Sequence, residues 1–316
     1  MTSILVIGCV SLDTIHLEQT GNRQTYSTVG GAGLFTALAA AHAGAKVTLF
    51  APKPNPMPSA LSSVDKLLNW VGPETTPEAM PTLEIVHHGQ DRATLLAASW
   101  GPERLLTPQS LHSSIRLSNA GKATYDIVHI AGLSTPQRQL DFLQSLRNEP
   151  IDSAISIGTY ARAIGTDRKT VQLLLNQSDV FFMNANEAAL LLDGRPIVPA
   201  QGQLIFVTDG KEGATTYYRN LNEHQSMDNS ADGTAENTSD STAGNARDCM
   251  ALLVHHIRAS QANEVDPTGA GDTFCGATLA RLPRQPYDIQ NILSAARFGS
   301  EVAARIIEGP GSSYYF

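Results

Sequence analysis

The chain predicts an α/β protein: a doubly wound, mainly parallel sheet flanked by helices, with a small β-sheet lid. Three observations carry that prediction. Residues 3–10 form an unbroken β-rich apolar run, as expected of a strand buried on both faces. Strand-like and helix-like stretches then alternate along most of the chain, the pattern of a parallel sheet. Two polar, β-leaning segments, 14–29 and 83–99, stand outside that alternation.

Residues 33–43 are rich in Ala and Leu and read as a helix ended by Gly44, with a strand at 46–50 after it. Further strands are expected at 126–130, 154–157, 180–183 and 204–208. Helices near 137–147, 168–176 and 187–192 separate them, and a long amphipathic helix near 289–307 follows. The two segments outside the alternation read either as one flap sheet, the second strand pair turning around His88–Arg92, or as two surface hairpins. The flap reading divides the chain into a core of residues 1–13, 33–81 and 100–316 and a lid of 14–32 and 82–99. Residues 222–247 are dominated by Ser, Thr, Asn, Asp, Ala and Gly, with Met227 the only large apolar side chain. Such a stretch buries too little to offset its ordering entropy, so a disordered surface loop within the core is expected.

The 316 residues suit about two domains or one large α/β unit. With 42% hydrophobic and 16% charged residues, the composition is that of an ordinary globular core. A formal charge of -8 gives no field that gathers nucleic acid or an anionic membrane. No apolar run reaches the roughly 18 residues of a membrane span. Residues 4–10 are too short for a signal segment and lack a basic lead-in. Cys9, Cys249 and Cys275 are few and far apart, which suits a reducing compartment, and a cytoplasmic protein is expected. The sequons at Asn176 and Asn237 are taken as chance.

The richest stretch is Asp266-Pro-Thr268-Gly269-Ala270-Gly271-Asp272. A small-residue loop that opens a helix gathers unpaired N–H groups and the positive end of the helix dipole, a natural anion site. Asp272 then sets a carboxylate beside that anion, which serves proton removal better than binding; alternatively it only caps the helix. Asp13, just past the first strand, reads either as a reader of substrate hydroxyls or as a turn cap. Gly30-Gly31-Ala32-Gly33 precedes a helix but fails the dinucleotide fingerprint, with no third glycine and no acid about twenty residues on. It reads as a backbone approach to a polyol, a flap hinge or a plain turn. Asn184 and Glu187 end one strand and open a helix, where Glu187 either favours the dipole or helps hold a hydrated Mg²⁺. Thr208-Asp-Gly210-Lys211-Glu-Gly213 either cradles a nucleotide or makes a hairpin turn, and no Walker-type loop is present. The pairs His87-His88 and His255-His256 point to opposite faces if in strands, so no metal site is expected of them.

In this order, the motifs resemble the ribokinase (PfkB) family of ATP-dependent carbohydrate kinases, with the 266–272 stretch as the family's specific signature. The resemblance implies ATP and Mg²⁺ as cofactors and a small polyol as the acceptor, a sugar first, with an inositol or a nucleoside as the alternative. It assigns Asp272 as general base and Gly269, Ala270 and Gly271 as the anion hole for the moving phosphoryl group. Asp13, Gly30 and Gly31 would hold the acceptor. Asn184, Thr208, Gly210 and Gly213 would line the nucleotide pocket, and Glu187 would organise Mg²⁺ through water. Many members also use a monovalent cation such as K⁺ beside the signature; Asp266 and Thr268, with 309–313, are the candidate ligands here. Lid sheets in such folds can pair edge to edge, which makes a homodimer through the lid a further expectation. One departure stands out: Phe35 occupies the place where many sugar kinases carry a hydroxyl-binding Asn. A sensor that keeps the pocket without turnover is the alternative, and intact Asp272 and Glu187 argue against it.

Overall fold

The computed structural model describes residues 1–19, 22–89, 92–115, 125–150, 152–220 and 251–316. The loop expected at 222–247 lies outside them. In chain order the strands are β1 (Ser3–Ile7), β2 (Ser11–Gln19), β3 (Asn22–Gly30), β4 (Lys46–Phe50), β5 (Lys53–Pro54), β6 (Asn69–Val71) and β7 (Glu74–Thr75). They continue with β8 (Thr82–Gly89), β9 (Arg92–Ser99), β10 (Ile127–Ile130), β11 (Ala154–Gly158), β12 (Val180–Asn184), β13 (Leu204–Thr208), β14 (Ala214–Asn220) and β15 (Ala251–Ile257). The helices are α1 (Ala32–His42), α2 (Ser62–Leu67), α3 (Pro108–Ser114), α4 (Pro136–Arg147), α5 (Ala161–Gln177), α6 (Ala185–Leu192), α7 (Ala270–Arg281) and α8 (Ile289–Ile306).

Nine of these strands form the body in the order β15-β14-β13-β12-β11-β10-β1-β4-β6. From β13 to β6 all neighbours are parallel, and β14 and β15 close one edge antiparallel. Alternate residues of one strand feed opposite cores: Ile4 and Val6 join one apolar cluster, Leu5 and Ile7 the other. The same holds for Val180 and Phe182 against Phe181 and Met183. Both faces are covered by helices, which is why these strands read as unbroken apolar runs. The chain leaves β1 for β4 on one side and resumes at β10 on the other. That switch point opens a crevice at the strands' carboxyl ends, where open α/β sheets bind ligands.

The outlying segments make a single sheet in the order β3-β2-β8-β9. Parallel pairing of β2 with β8, Ile15 opposite Ile85, joins the two hairpins. The period-2 rule splits their residues between two faces. One face carries Asp13, Ile15, Leu17, Tyr26, Leu83, Ile85 and His87, in register across β3, β2 and β8. The opposite face carries a polar ladder in which His16 meets Thr25 and Glu84, and His88 meets Glu18 and Thr94. His87 and His88 therefore face apart.

Helix α5 begins earlier than the expected 168–176 because two helical pieces meet at Asp167, whose φ of -150° is not helical. Its carboxylate accepts from the Thr170 N–H and hydroxyl and so caps the second piece, the part visible in the sequence.

Candidate active site

The site grows from the amino end of α7. Gly269 caps that helix with φ of 77°, a left-handed conformation that glycine adopts without strain. A Cβ there would also meet the Phe35 ring at 2.5 Å. Phe35, 2% exposed, is thus the floor on which the loop rests. The Ala270 N–H turns back to the Pro267 carbonyl at 3.2 Å. The N–H groups of Gly271 and Asp272 meet no backbone acceptor among the described residues, so they are the free donors of this turn. The Thr36 hydroxyl reaches the Asp272 carbonyl at 3.3 Å and ties α7 to α1.

Two cavities meet across this loop. The smaller, about 470 Å³, is lined by Asp13, Gly31, Phe35, Glu187 and Asp272, with lid residues Leu83, Ile85 and His87 above. Trp100 and Tyr160 form an aromatic wall, their ring centroids 6.3 Å apart. Tyr160 is fixed by donating its hydroxyl to the Leu133 carbonyl at 2.8 Å. The larger cavity, about 870 Å³, takes in Thr208, Gly210, Lys211, Gly213 and the small residues Ala259, Ala262, Ala303 and Ala304. Asn184, Thr208, Ala270, Gly271 and His87 border both.

Burial raises each carboxyl of the smaller cavity. Burial pushes Asp272 up to about 7. Burial also raises Glu187 to about 7, with the Asp272 charge adding to the rise. Asp13 is 2% exposed and raised to about 6 by burial, and its Oδ1 has no hydrogen-bond partner. A buried acceptor aimed into a cavity awaits a ligand's hydroxyl donor. His129 also lines the cavity, but burial lowers it to about 3 and its ring stays neutral.

The expected site residues do not all point where the sequence suggested. Gly30 does not line either cavity; a Cβ on it would collide with the Asp13 carboxylate, so its bareness makes room for Asp13. Asn184 borders both cavities, yet its amide is engaged in a capping box with Glu187, Oδ1 accepting from the Glu187 N–H at 2.9 Å. Glu187 opens on the smaller cavity, its carboxylate accepting from the Asn184 N–H and amide. Thr208, Gly210 and Gly213 line the larger cavity. Asp266 is fully buried, while Thr268 lines the smaller cavity.

Sequence reasoning missed Trp100, Tyr160, Tyr26 and the role of His87. For the lid the signal was there: Leu83, Ile85 and His87 alternate, so a cavity-facing Leu83 brings His87 to the same face. Trp100 and Tyr160 lie in loops far apart in sequence and had no such signal.

The chain matches the model of the pfkB family carbohydrate kinases over residues 252–315, a span that includes the signature. It is 23% identical to the cytidine kinase of Thermococcus kodakarensis over 98% of this chain and 97% of that protein. Among solved structures, the Cryptococcus neoformans ribokinase in complex with ADP superposes with a TM-score of 0.69 at 14% identity, covering 100% of this chain and 96% of that one. The Burkholderia thailandensis nucleoside kinase in complex with inosine gives 0.68 at 17% identity, covering 99% and 94%. The fold is therefore ribokinase-like from end to end. Over residues 252–315, the signature included, the chain is similar to the pfkB family carbohydrate kinases.

Proposed function

We propose that this protein transfers the terminal phosphoryl group of ATP to a hydroxyl of a small polyol, and that the acceptor which fits best is a nucleoside. The observation that carries the reading is the pair of cavities meeting across the Gly271–Asp272 donors, with the Asp272 carboxylate opening into the smaller one. Phosphoryl transfer needs alignment and charge neutralisation more than covalent help. ATP enters the larger cavity, its phosphates directed at the α7 terminus, and the acceptor lies under the lid. Asp13 accepts from one acceptor hydroxyl and Asp272 takes the proton of another as it attacks. The free N–H groups of Gly271 and Asp272 meet the negative charge of the phosphoryl in transit. A lid closed over the cavity keeps water from competing.

Among the described residues, no group of three or more His, Cys, Asp or Glu side chains is placed to hold a metal ion. Glu187 and Asp272 nevertheless fit a hydrated Mg²⁺ that arrives with the nucleotide, since both carboxyls line the cavity beside the free N–H groups of the turn. When bound, that ion neutralises phosphate charge.

The aromatic and aliphatic wall of Trp100, Tyr160, Leu83, Ile85 and Phe35 favours an acceptor that carries a flat apolar ring over a bare sugar. Measuring ADP release with Mg·ATP over matched panels of nucleosides and free sugars tests both levels. Turnover on nucleosides, with little on sugars, is expected. Preference for a free sugar overturns the nucleoside assignment, and no turnover on either panel overturns the kinase reading.

A further inference from the structure

The first aspartate of the signature lives in the opposite environment to the last. Asp266 is buried, and three hydrogen-bond donors and the His87 ring converge on its two oxygens. Oδ1 accepts from the Thr268 N–H at 2.9 Å and lies 3.4 Å from His87 Nε2. Oδ2 accepts from the Gly311 N–H at 2.7 Å and from the Tyr26 hydroxyl. His87 Nε2 also meets the Thr268 hydroxyl at 2.7 Å. Tyr26 and His87 belong to the lid, on β3 and β8, with β2 between them. The lid is thus fastened at two points to the loop that leads directly into Gly269.

This donor set does not fit the monovalent cation that the family resemblance placed here. A carboxylate offers about four lone-pair sites; three accept hydrogen bonds, and the His87 ring stands 3.4 Å from Oδ1. Gly311, from the segment expected to help ligate the ion, turns its N–H rather than an oxygen toward Asp266. Both lid groups are suited to their task. Burial, with the Asp266 charge adding to it, raises the Tyr26 hydroxyl well above its usual range, so it keeps its proton and donates. Burial lowers His87, outweighing the upward pull of Asp266, so it bridges as a neutral ring.

We propose that Tyr26 and His87 are positioning residues: they latch the lid to Asp266 and Thr268, holding the signature loop in place by hydrogen bonds and without a monovalent cation. Opening the lid would strip two partners from a buried charge, so lid position and loop geometry are coupled. His87 borders both cavities, which sets the latch at the seam where the two ligands meet. The inference rests on the kinase reading only for the meaning of the nucleotide site, and its test has an arm that does not need turnover.

That arm is amide hydrogen exchange on the full chain, comparing wild type with Tyr26→Phe and Thr268→Val. Each variant removes one latch contact with little change of shape. Exchange in 11–19, 22–30, 82–89 and 92–99 is expected to quicken on the order of tenfold, the scale of a lost hydrogen bond to a charged group, with the central strands unaffected. In the second arm, the affinity of wild type for a nonhydrolysable ATP analogue is measured in potassium chloride and in choline chloride, and agreement within about twofold is expected. Lid protection unchanged in both variants, or a tenfold loss of wild-type affinity when choline replaces potassium, overturns the latch. Should either variant lose protection throughout, the other decides the first arm. Should wild type bind no nucleotide, the kinase reading fails, and the exchange arm still decides the latch on its own.

Discussion

On one side of the 269–272 turn the wall is made of large, fixed side chains; on the other it is mostly backbone and small residues. The smaller cavity holds three buried or half-buried carboxyl groups, an aromatic pair and a phenylalanine floor. The larger cavity holds glycines, alanines and strand ends, with exposed Asp209, Lys211, Glu264 and Glu308 around its rim. The contrast teaches where each kind of information resides. Phosphates are alike in every nucleotide and can be met by N–H groups that no substitution removes. An acceptor must be told from its neighbours, which takes side chains under desolvation. Substitutions should therefore act very unequally on the two sides.

The largest effect is expected at Asp272. Replacing it with Asn keeps the shape and removes the base, so kcat should fall by about 10² or more, the usual scale for general base catalysis. The same change should stabilise the fold at pH 8. A carboxyl held up at about 7 by burial is an ionised, poorly solvated group there, and the amide relieves it. Allowing for its access to the cavity, the gain is on the order of 1–2 kcal/mol, or roughly 3 °C in Tm. Steady-state kinetics and a melting curve read both. Near-normal turnover would erase the functional difference between the two walls.

The pH dependence follows with a definite sign. Asp13, Glu187 and Asp272 all have folded values raised above their unfolded ones, to about 6, 7 and 7. The folded state therefore binds more protons, and their contribution to stability is fully present below about pH 4 and is lost as pH rises through 6 to 7. Turnover runs the other way, since the base must be ionised: kcat/KM should climb through about pH 7. Denaturant melts and rate profiles between pH 5 and 8 should thus show opposite slopes. Parallel slopes would show that the buried carboxyls do not govern the site.

On the same side, Trp100→Ala should raise the KM for a nucleoside about tenfold while changing kcat little, because the ring offers contact to ground state and transition state alike. An equal loss in kcat would mean that the aromatic wall positions the reacting hydroxyl and does not merely hold the ring.

How much of this was legible in the sequence divides along a similar line. The sheet was readable because strands buried on both faces leave continuous apolar runs, as at 204–208, where expected and observed bounds coincide. The signature was readable because a left-handed cap with free amides demands small residues in a fixed order. Phe35 was visible only as a departure; that its ring supports Gly269 depends on α1 lying against α7, which no local pattern records. The capping box that engages Asn184 was legible in principle, since an Asn followed three residues later by Glu is its usual form. The fastening of Tyr26 to Asp266 spans 240 positions and needs the lid already in place.

The smallest effect is expected on the nucleotide side. Lys211 is exposed at the rim of the larger cavity, in the turn between β13 and β14, and has no ion-pair partner among the described residues. A solvated ammonium contributes little to a bound phosphate, in the range of about 0–1 kcal/mol for exposed pairs, and salt screens it further. Lys211→Ala should therefore raise the KM for ATP no more than about threefold at physiological ionic strength, with kcat unchanged. The comparison sharpens if that small effect vanishes at high salt, which would mark it as long-range steering. It breaks if the change costs tenfold or more, because the nucleotide would then depend on a side chain after all, and Lys211 would have to move inward when ATP binds.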